Sequence, residues 1–166
     1  DRDGKNDSAY LHLGATSSDV LDTALMLQLQ AAVVQLLTHF DTLLPLLKKR
    51  ADEYRELVTL GRTHGMFAEP TSFGLKFLSA YSEGKRNQER LLFALSEISF
   101  GKCSGAVGNN SWIKVAHEEK ILHALGLGRE SVSTQVIPRD RIAFVASQLS
   151  LVGAWIERVC TEIRHL

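Results

Sequence analysis

Cysteine is scarce, and the 166-residue chain has only Cys103 and Cys160. They form no CxxC pair and no Cys/His cluster at metal-ligand spacing, which excludes a disulfide scaffold and a zinc module and leaves both as packing residues. Net charge is missing too. Nineteen basic and nineteen acidic residues cancel, so nothing draws the chain toward nucleic acid or an anionic membrane. Apolar residues make up 45% of the sequence but fall in short groups, and no stretch is expected to approach the roughly 20 apolar residues of a bilayer crossing. A soluble protein is expected. The first eight residues, Asp1 to Ser8, have neither the basic start nor the apolar run of a signal peptide. They also lack an initiator methionine, which suggests a chain beginning inside a longer protein.

Proline occurs three times and strongly alternating β patterns are absent, so helix is the expectation almost everywhere. A first helix opens at Thr16-Ser17-Ser18-Asp19, with Ser17 or Ser18 as its cap, and runs through Val20, Leu21, Ala24, Leu25, Leu27 and Leu29 toward Leu37. A joint is expected near His39 to Thr42, because Pro45 is best tolerated in the first turn of a second helix, over about 41 to 57. Gly61 to Pro70 reads as a loop, and Pro70 sits near the start of a third helix that reaches about Ile98. Gly101 to Asn110 reads as another loop. A short helix from about Trp112 to Leu125 ends at Gly126, and Ser131 to Gln135 reads as extended. The last helix begins near Pro138 or Arg139 and continues to the end. It shows one apolar stripe through Ile142, Val145, Leu149, Val152, Ile156, Val159 and Ile163, and another through Phe144, Leu151 and Trp155. The pattern predicts an all-α fold, a bundle of long helices in which the first, third and last lie roughly antiparallel and residues 1 to 166 form one domain. Apolar stripes on two sides of the last helix call for cover from elsewhere in a longer chain or from other subunits.

Three polar segments interrupt the helices. Thr16, Ser17 and Ser18 place hydroxyls beside unpaired amides at a helix start, where a carboxylate or phosphate is stabilised by hydrogen bonds and the helix dipole. The same residues are also ordinary caps. His64 lies between Thr63 and Gly65, and an imidazole exchanges protons near neutral pH, which suits a general acid or base. Ser133-Thr134-Gln135, with Arg139-Asp140-Arg141 behind, offers an amide and guanidinium groups that can orient a carboxylate; the charged run is equally a solvated helix start. His12, His39, His117, His123 and His165 show no metal-ligand spacing.

Taken together, Thr16-Ser17-Ser18-Asp19-Val20-Leu21-Asp22-Thr23-Ala24, Gly61-Arg62-Thr63-His64-Gly65-Met66-Phe67-Ala68-Glu69-Pro70-Thr71-Ser72-Phe73-Gly74, Gly105-Ala106-Val107-Gly108, Ser133-Thr134-Gln135 and Arg139-Asp140-Arg141 resemble, in order and spacing, the adenylosuccinate lyases of the fumarase/aspartase superfamily. The resemblance covers essentially the whole chain, departing where many relatives carry His and this chain has Ile142. It implies the central helical domain of a β-eliminating enzyme with amino- and carboxy-terminal parts missing. A base removes the proton beside a carboxylate, the carboxylate takes up the charge, and an acid protonates the departing nitrogen as fumarate forms. By resemblance the acid is His64, substrate is bound by Thr16, Ser17 and Gln135, and Thr63 and Ser18 are neighbours. The resemblance places the serine base in a glycine- and methionine-containing loop beyond Leu166 and a second histidine ahead of this chain. It implies succinyl nucleotide substrates (adenylosuccinate and the succinylated imidazole carboxamide nucleotide of purine synthesis), fumarate as product, no metal or organic cofactor, and a cytoplasmic homotetramer whose active sites draw loops from three subunits. These 166 residues alone would then lack activity. The alternatives are a helical module or fragment that only assembles, and an enzyme closer to argininosuccinate lyase.

Overall fold

The computed structural model describes residues 10 to 166; the expectation for Asp1 to Ser8 lies outside them. Four helices dominate: α1 (Ser17–Glu53), α2 (Gly74–Glu97), α3 (Val115–Ala124) and α4 (Asp140–Arg164). The strands are short: β1 (Val58–Thr63) pairs antiparallel with β2 (Met66–Ser72), and β3 (Phe100–Gly101) pairs parallel with β4 (Gly128–Arg129). The architecture is all-α in class, as expected. The chain forms two compact units. One holds the described residues up to Ala32 together with Leu95–Ala143, the other Val33–Ala94 together with Phe144–Leu166.

In the second unit, α1 corrects the expected joint: it runs unbroken through Pro45. An interior proline removes one backbone hydrogen bond and costs about 3 kcal/mol. Against it stand Phe40, Leu44, Leu47 and Ala51, all buried on one face that continues across the proline. Burying each of the three larger side chains contributes about 1.5–3 kcal/mol, so the apolar stripe outweighs the lost bond. Trp155 of α4 stacks on Phe40 with centroids 5.2 Å apart, and its indole N–H donates to the Ala80 carbonyl of α2 at 3.0 Å.

Direction follows from contact order. Gln88 Nε2 donates to Asp41 Oδ1 at 2.9 Å, while the Gly74 N–H donates to the Tyr54 carbonyl at 3.0 Å, just past the end of α1. Lys76 pairs with Glu162, and Phe93 meets Phe144 edge-on at 5.5 Å. Rising positions in α2 thus meet falling positions in both α1 and α4, so α2 is antiparallel to the other two, and those two run the same way. The buried stripe of α4 is Val145, Gln148, Val152 and Trp155. It takes one residue from the predicted second stripe and leaves Leu151, Ile156 and Ile163 exposed.

The segment expected to be a loop is a hairpin. His64 and Gly65 form its two-residue turn with φ of 53° and 72°, the pair of positive values that matches the twist of the flanking strands. Ala68 and Glu69 together oppose Gly61, a bulge in the register. Pro70 pairs with Leu60 inside β2, so α2 starts at Gly74 and not at the proline.

In the first unit, α3 is shorter than predicted and ends as expected, with the Leu127 N–H returning to the Leu122 carbonyl at 2.9 Å and Gly126 N–H to that of His123 at 3.0 Å. Phe100 and Gly101, expected in or beside a loop, form β3, and Ser131 to Gln135 is a series of bends with no strand. On length and composition, α1 and α4 are each apolar enough to cross a membrane. This corrects the expectation that no stretch is apolar enough: Gln28, Gln30 and Gln35 divide the apolar residues of α1 into short groups without making the helix as a whole polar. Helices of a bundle meet the same criterion.

Candidate active site

The N-terminus of α1 is built around one carboxylate. Thr16 is the capping residue, one position before the predicted Ser17 or Ser18, and its N–H donates to Asp19 Oδ2 at 2.9 Å. This is the return half of a capping box, with an aspartate in the third helical position. Asp19 is shared with a second segment: the Gly105 N–H donates to Oδ2 at 3.1 Å and the Ser104 N–H to Oδ1 at 3.2 Å. Lys102 Nζ forms an ion pair with Oδ1, the two side chains being 0% and 1% exposed. A second bond from Lys102 Nζ reaches the Gly105 carbonyl at 3.3 Å. Thr23, one turn along, closes the junction, donating through Oγ1 to the Lys102 carbonyl at 2.9 Å and accepting from the Lys102 N–H at 3.2 Å. A buried carboxylate that accepts three amide bonds and a cation has its lone pairs occupied, which is the condition for a charge to be tolerated in a dry interior.

The same segment reaches the third polar stretch. Ser104 Oγ lies 3.1 Å from Ser133 Oγ, and a Cβ at Gly108, whose φ is +75°, would sit 2.2 Å from the Ser133 carbonyl oxygen. Only glycine permits that approach. The unit therefore links the Thr16–Ser18 start, the Lys102–Gly108 segment and the Ser133–Gln135 bends. Among the described residues the hydroxyls of Thr16, Ser17 and Ser18 carry no side-chain hydrogen bond. Thr16 is buried, Ser17 exposed and Ser18 half-buried, and Gln135 is exposed.

The arginines expected to orient a carboxylate serve the fold. Arg139 donates to Asp22 Oδ1 at 3.0 Å, whose other oxygen accepts the Ile137 N–H at 2.8 Å. Arg141 donates to Glu130 Oε2 at 2.8 Å and to Glu97, and lies over the Phe100 ring at 4.1 Å. Glu118, fully buried, accepts the Cys103 N–H at 2.8 Å and Asn110 Nδ2 at 2.9 Å. Burial, followed by the nearby carboxylates of Asp19 and Glu118, pushes the Cys103 thiol above its usual range.

His64 and Thr63 belong to the other unit. His64 is exposed at the hairpin tip, beside Phe67 (73% exposed), over which the Arg62 guanidinium lies at 5.4 Å. Sequence reasoning named His64, Thr16, Ser17, Ser18, Gln135 and Thr63 but missed Lys102, whose signal was a lysine within the small-residue run Gly101-Lys102-Cys103-Ser104-Gly105. Among the described residues no group of three His, Cys, Asp or Glu side chains could hold a metal.

A sequence model of the lyase family matches residues 4–166. The adenylosuccinate lyase of Thermotoga maritima is 54% identical over 160 residues, which are 96% of this chain and 37% of that protein. That of Bacillus subtilis is 42% identical over 157 residues, 95% of this chain and 36% of its own. Among solved structures, a fumarate lyase from Mesorhizobium sp. BNC1 superposes with a TM-score of 0.89 at 27% identity, covering 96% of this chain and 38% of its own. The β-carboxy-cis,cis-muconate cycloisomerase of Acinetobacter calcoaceticus sp. ADP1 gives 0.87 at 28% identity, covering 95% and 37%. The chain thus spans a little over a third of the length of these relatives, and on the family match across nearly all of its residues it belongs to the lyase family.

Proposed function

We propose that this chain is the central helical part of an adenylosuccinate lyase, releasing fumarate from adenylosuccinate and from the succinylated imidazole carboxamide nucleotide. The observation that carries the reading is the 54% identity to the Thermotoga maritima enzyme over 96% of the chain. The site supports it chemically. A succinyl nucleotide is polyanionic, and Thr16, Ser17 and Ser18 carry hydroxyls without a side-chain hydrogen bond among the described residues, at the positive end of a long helix, that of Ser17 on an exposed residue. Gln135 adds an amide on a segment bonded to the same network, and Thr63 neighbours the acid. His64 is the general acid for the leaving nitrogen: it is exposed, on a two-residue turn, and free of packing that would hinder proton transfer. No metal or organic cofactor enters this chemistry.

The assembled enzyme is read as a cytoplasmic homotetramer, in which Thr16, His64 and Gln135 meet across subunit boundaries. Its support is the exposed apolar surface of α1 and α4, including Val20, Leu21, Leu151 and Ile163, since faces of this kind mark association. The serine base is supplied from outside residues 1 to 166. Two measurements test the reading. Full-length protein containing this chain should release fumarate in the ultraviolet assay and scatter light as a tetramer. The isolated 166 residues, with mass confirmed, should show no turnover. A full-length protein that leaves both succinyl nucleotides intact, or an isolated chain turning over at the ~10 s⁻¹ typical of enzymes, would overturn it.

A further inference from the structure

The dipole at the start of α1 attracts anions, yet its third position carries an aspartate, and a carboxylate there would by itself repel an anionic substrate. The structure resolves the conflict with Lys102. Its ammonium is fully buried against Asp19, so the pair is neutral as a whole while Asp19 keeps its bonds to Thr16 and Gly105. The carboxylate is thereby available as a geometric anchor without presenting its charge to the helix end. Its Oδ2 fixes the Thr16 backbone, leaving the next two residues, Ser17 and Ser18, at the turn where helix amides lack intrahelical partners. Thr23 and the Lys102 backbone, bonded to each other in both directions, hold the lysine stem to the helix.

We propose that Lys102 is a positioning and charge-balancing residue: by neutralising Asp19 it keeps Thr16 fixed and the exposed Ser17 and half-buried Ser18 available to an anionic group of the substrate. This rests on the lyase reading of the site. Lys102 itself is buried and does not touch substrate, so its effect is on binding and passes through Asp19.

The experiment uses the full-length enzyme with three variants, Lys102→Met, Asp19→Asn and the double variant. Lys102→Met leaves an unpaired carboxylate beside the substrate, and its KM should rise about tenfold or more, with a several-fold smaller change in kcat, as expected when one partner of a buried pair is removed. The double variant has no charge to leave unpaired, should fold, and should recover at least half of the logarithmic loss in KM. Should Lys102→Met fail to fold, the double variant compared with Asp19→Asn decides: KM values within about threefold of each other support the proposal, because without the carboxylate the lysine has nothing to balance. A double variant as poor in KM as Lys102→Met, a loss confined to kcat, or a further KM loss on removing Lys102 from Asp19→Asn would overturn it. Wild type that releases no fumarate sinks the activity reading alone. Charge balance is then read from calorimetric titration with fumarate, where Lys102→Met must bind more weakly and the double variant must regain affinity; equal weakening in both refutes it.

Discussion

The Thr16–Asp19 helix start and the His64 hairpin carry the two chemical roles of the proposed site, and they are built in opposite ways. At the helix start, a carboxylate, an ammonium and three backbone amides are buried together, and Gly108 lets the neighbouring bends approach to contact. At the hairpin, two short strands and a tight turn hold an exposed imidazole among exposed apolar side chains. Binding groups gain from preorganisation, because fixed dipoles cost no reorganisation when the anion arrives. A proton donor must instead be accessible. A side chain set in a buried network is sensitive to every neighbour, whereas one on a turn depends on its own backbone, and substitutions should sort accordingly.

The largest effect should come from the exposed element. His64→Ala in the full-length enzyme should lower turnover by about 10²–10⁴-fold, the usual contribution of a general acid, while leaving the melting temperature within a few degrees, since the side chain buries nothing. Turnover within twofold of wild type would remove His64 from the mechanism. Next is Gly108→Ala in the buried network. The added Cβ combines a positive φ with a backbone clash against Ser133, and the loss should be about 3 kcal/mol in urea unfolding. Gly65→Ala provides the counterpart at the hairpin tip: φ is +72° but nothing lies within 4 Å, so the loss should be about 1 kcal/mol. Equal losses at the two glycines would erase the distinction between a packed and an open turn. The smallest effect is chemical. Because burial raises the Cys103 thiol, less thiolate is present at pH 8, and alkylation of Cys103, followed by mass spectrometry, should be slower than that of free cysteine.

The same contrast explains what the sequence discloses. Thr16-Ser17-Ser18-Asp19 is legible as a helix start because capping is local chemistry, and the glycine-marked end of α3 is legible for the same reason, whereas the start of that helix at Val115 has no side-chain cap and is expected too early. Pro45 misleads because its penalty is local while the stripe that overrides it, Phe40 to Ala51, acts through α2 and α4. The hairpin escapes notice because β1 and β2 bury no residue fully, β1 alternates over only a few positions, and His-Gly is a less familiar turn pair than Asn-Gly. Lys102 was invisible because its partner lies 83 residues away and a lysine in sequence reads as solvated. Of the named residues, Thr16, Ser17, Ser18 and Gln135 fall on linked segments of one unit, and Thr63 and His64 on the other; their roles rest on the resemblance and on the variants above.

The positive φ at His64 also bears on how such a protein could drift. Left-handed backbone is easiest for Gly and Asn, is adopted more readily by Asp and His than by other residues, and penalises most remaining side chains. If the hairpin alone governed this position, neutral change would settle there on Gly or Asn, and a lineage that abandoned catalysis would have an easy downhill route to them. Histidine is a residue the turn tolerates without preferring it. On the proposed reading His64 answers to the reaction as well as to the turn, and among sequences sharing this hairpin, Asn or Gly at the tip is the expected mark of chains that keep the architecture and give up the reaction.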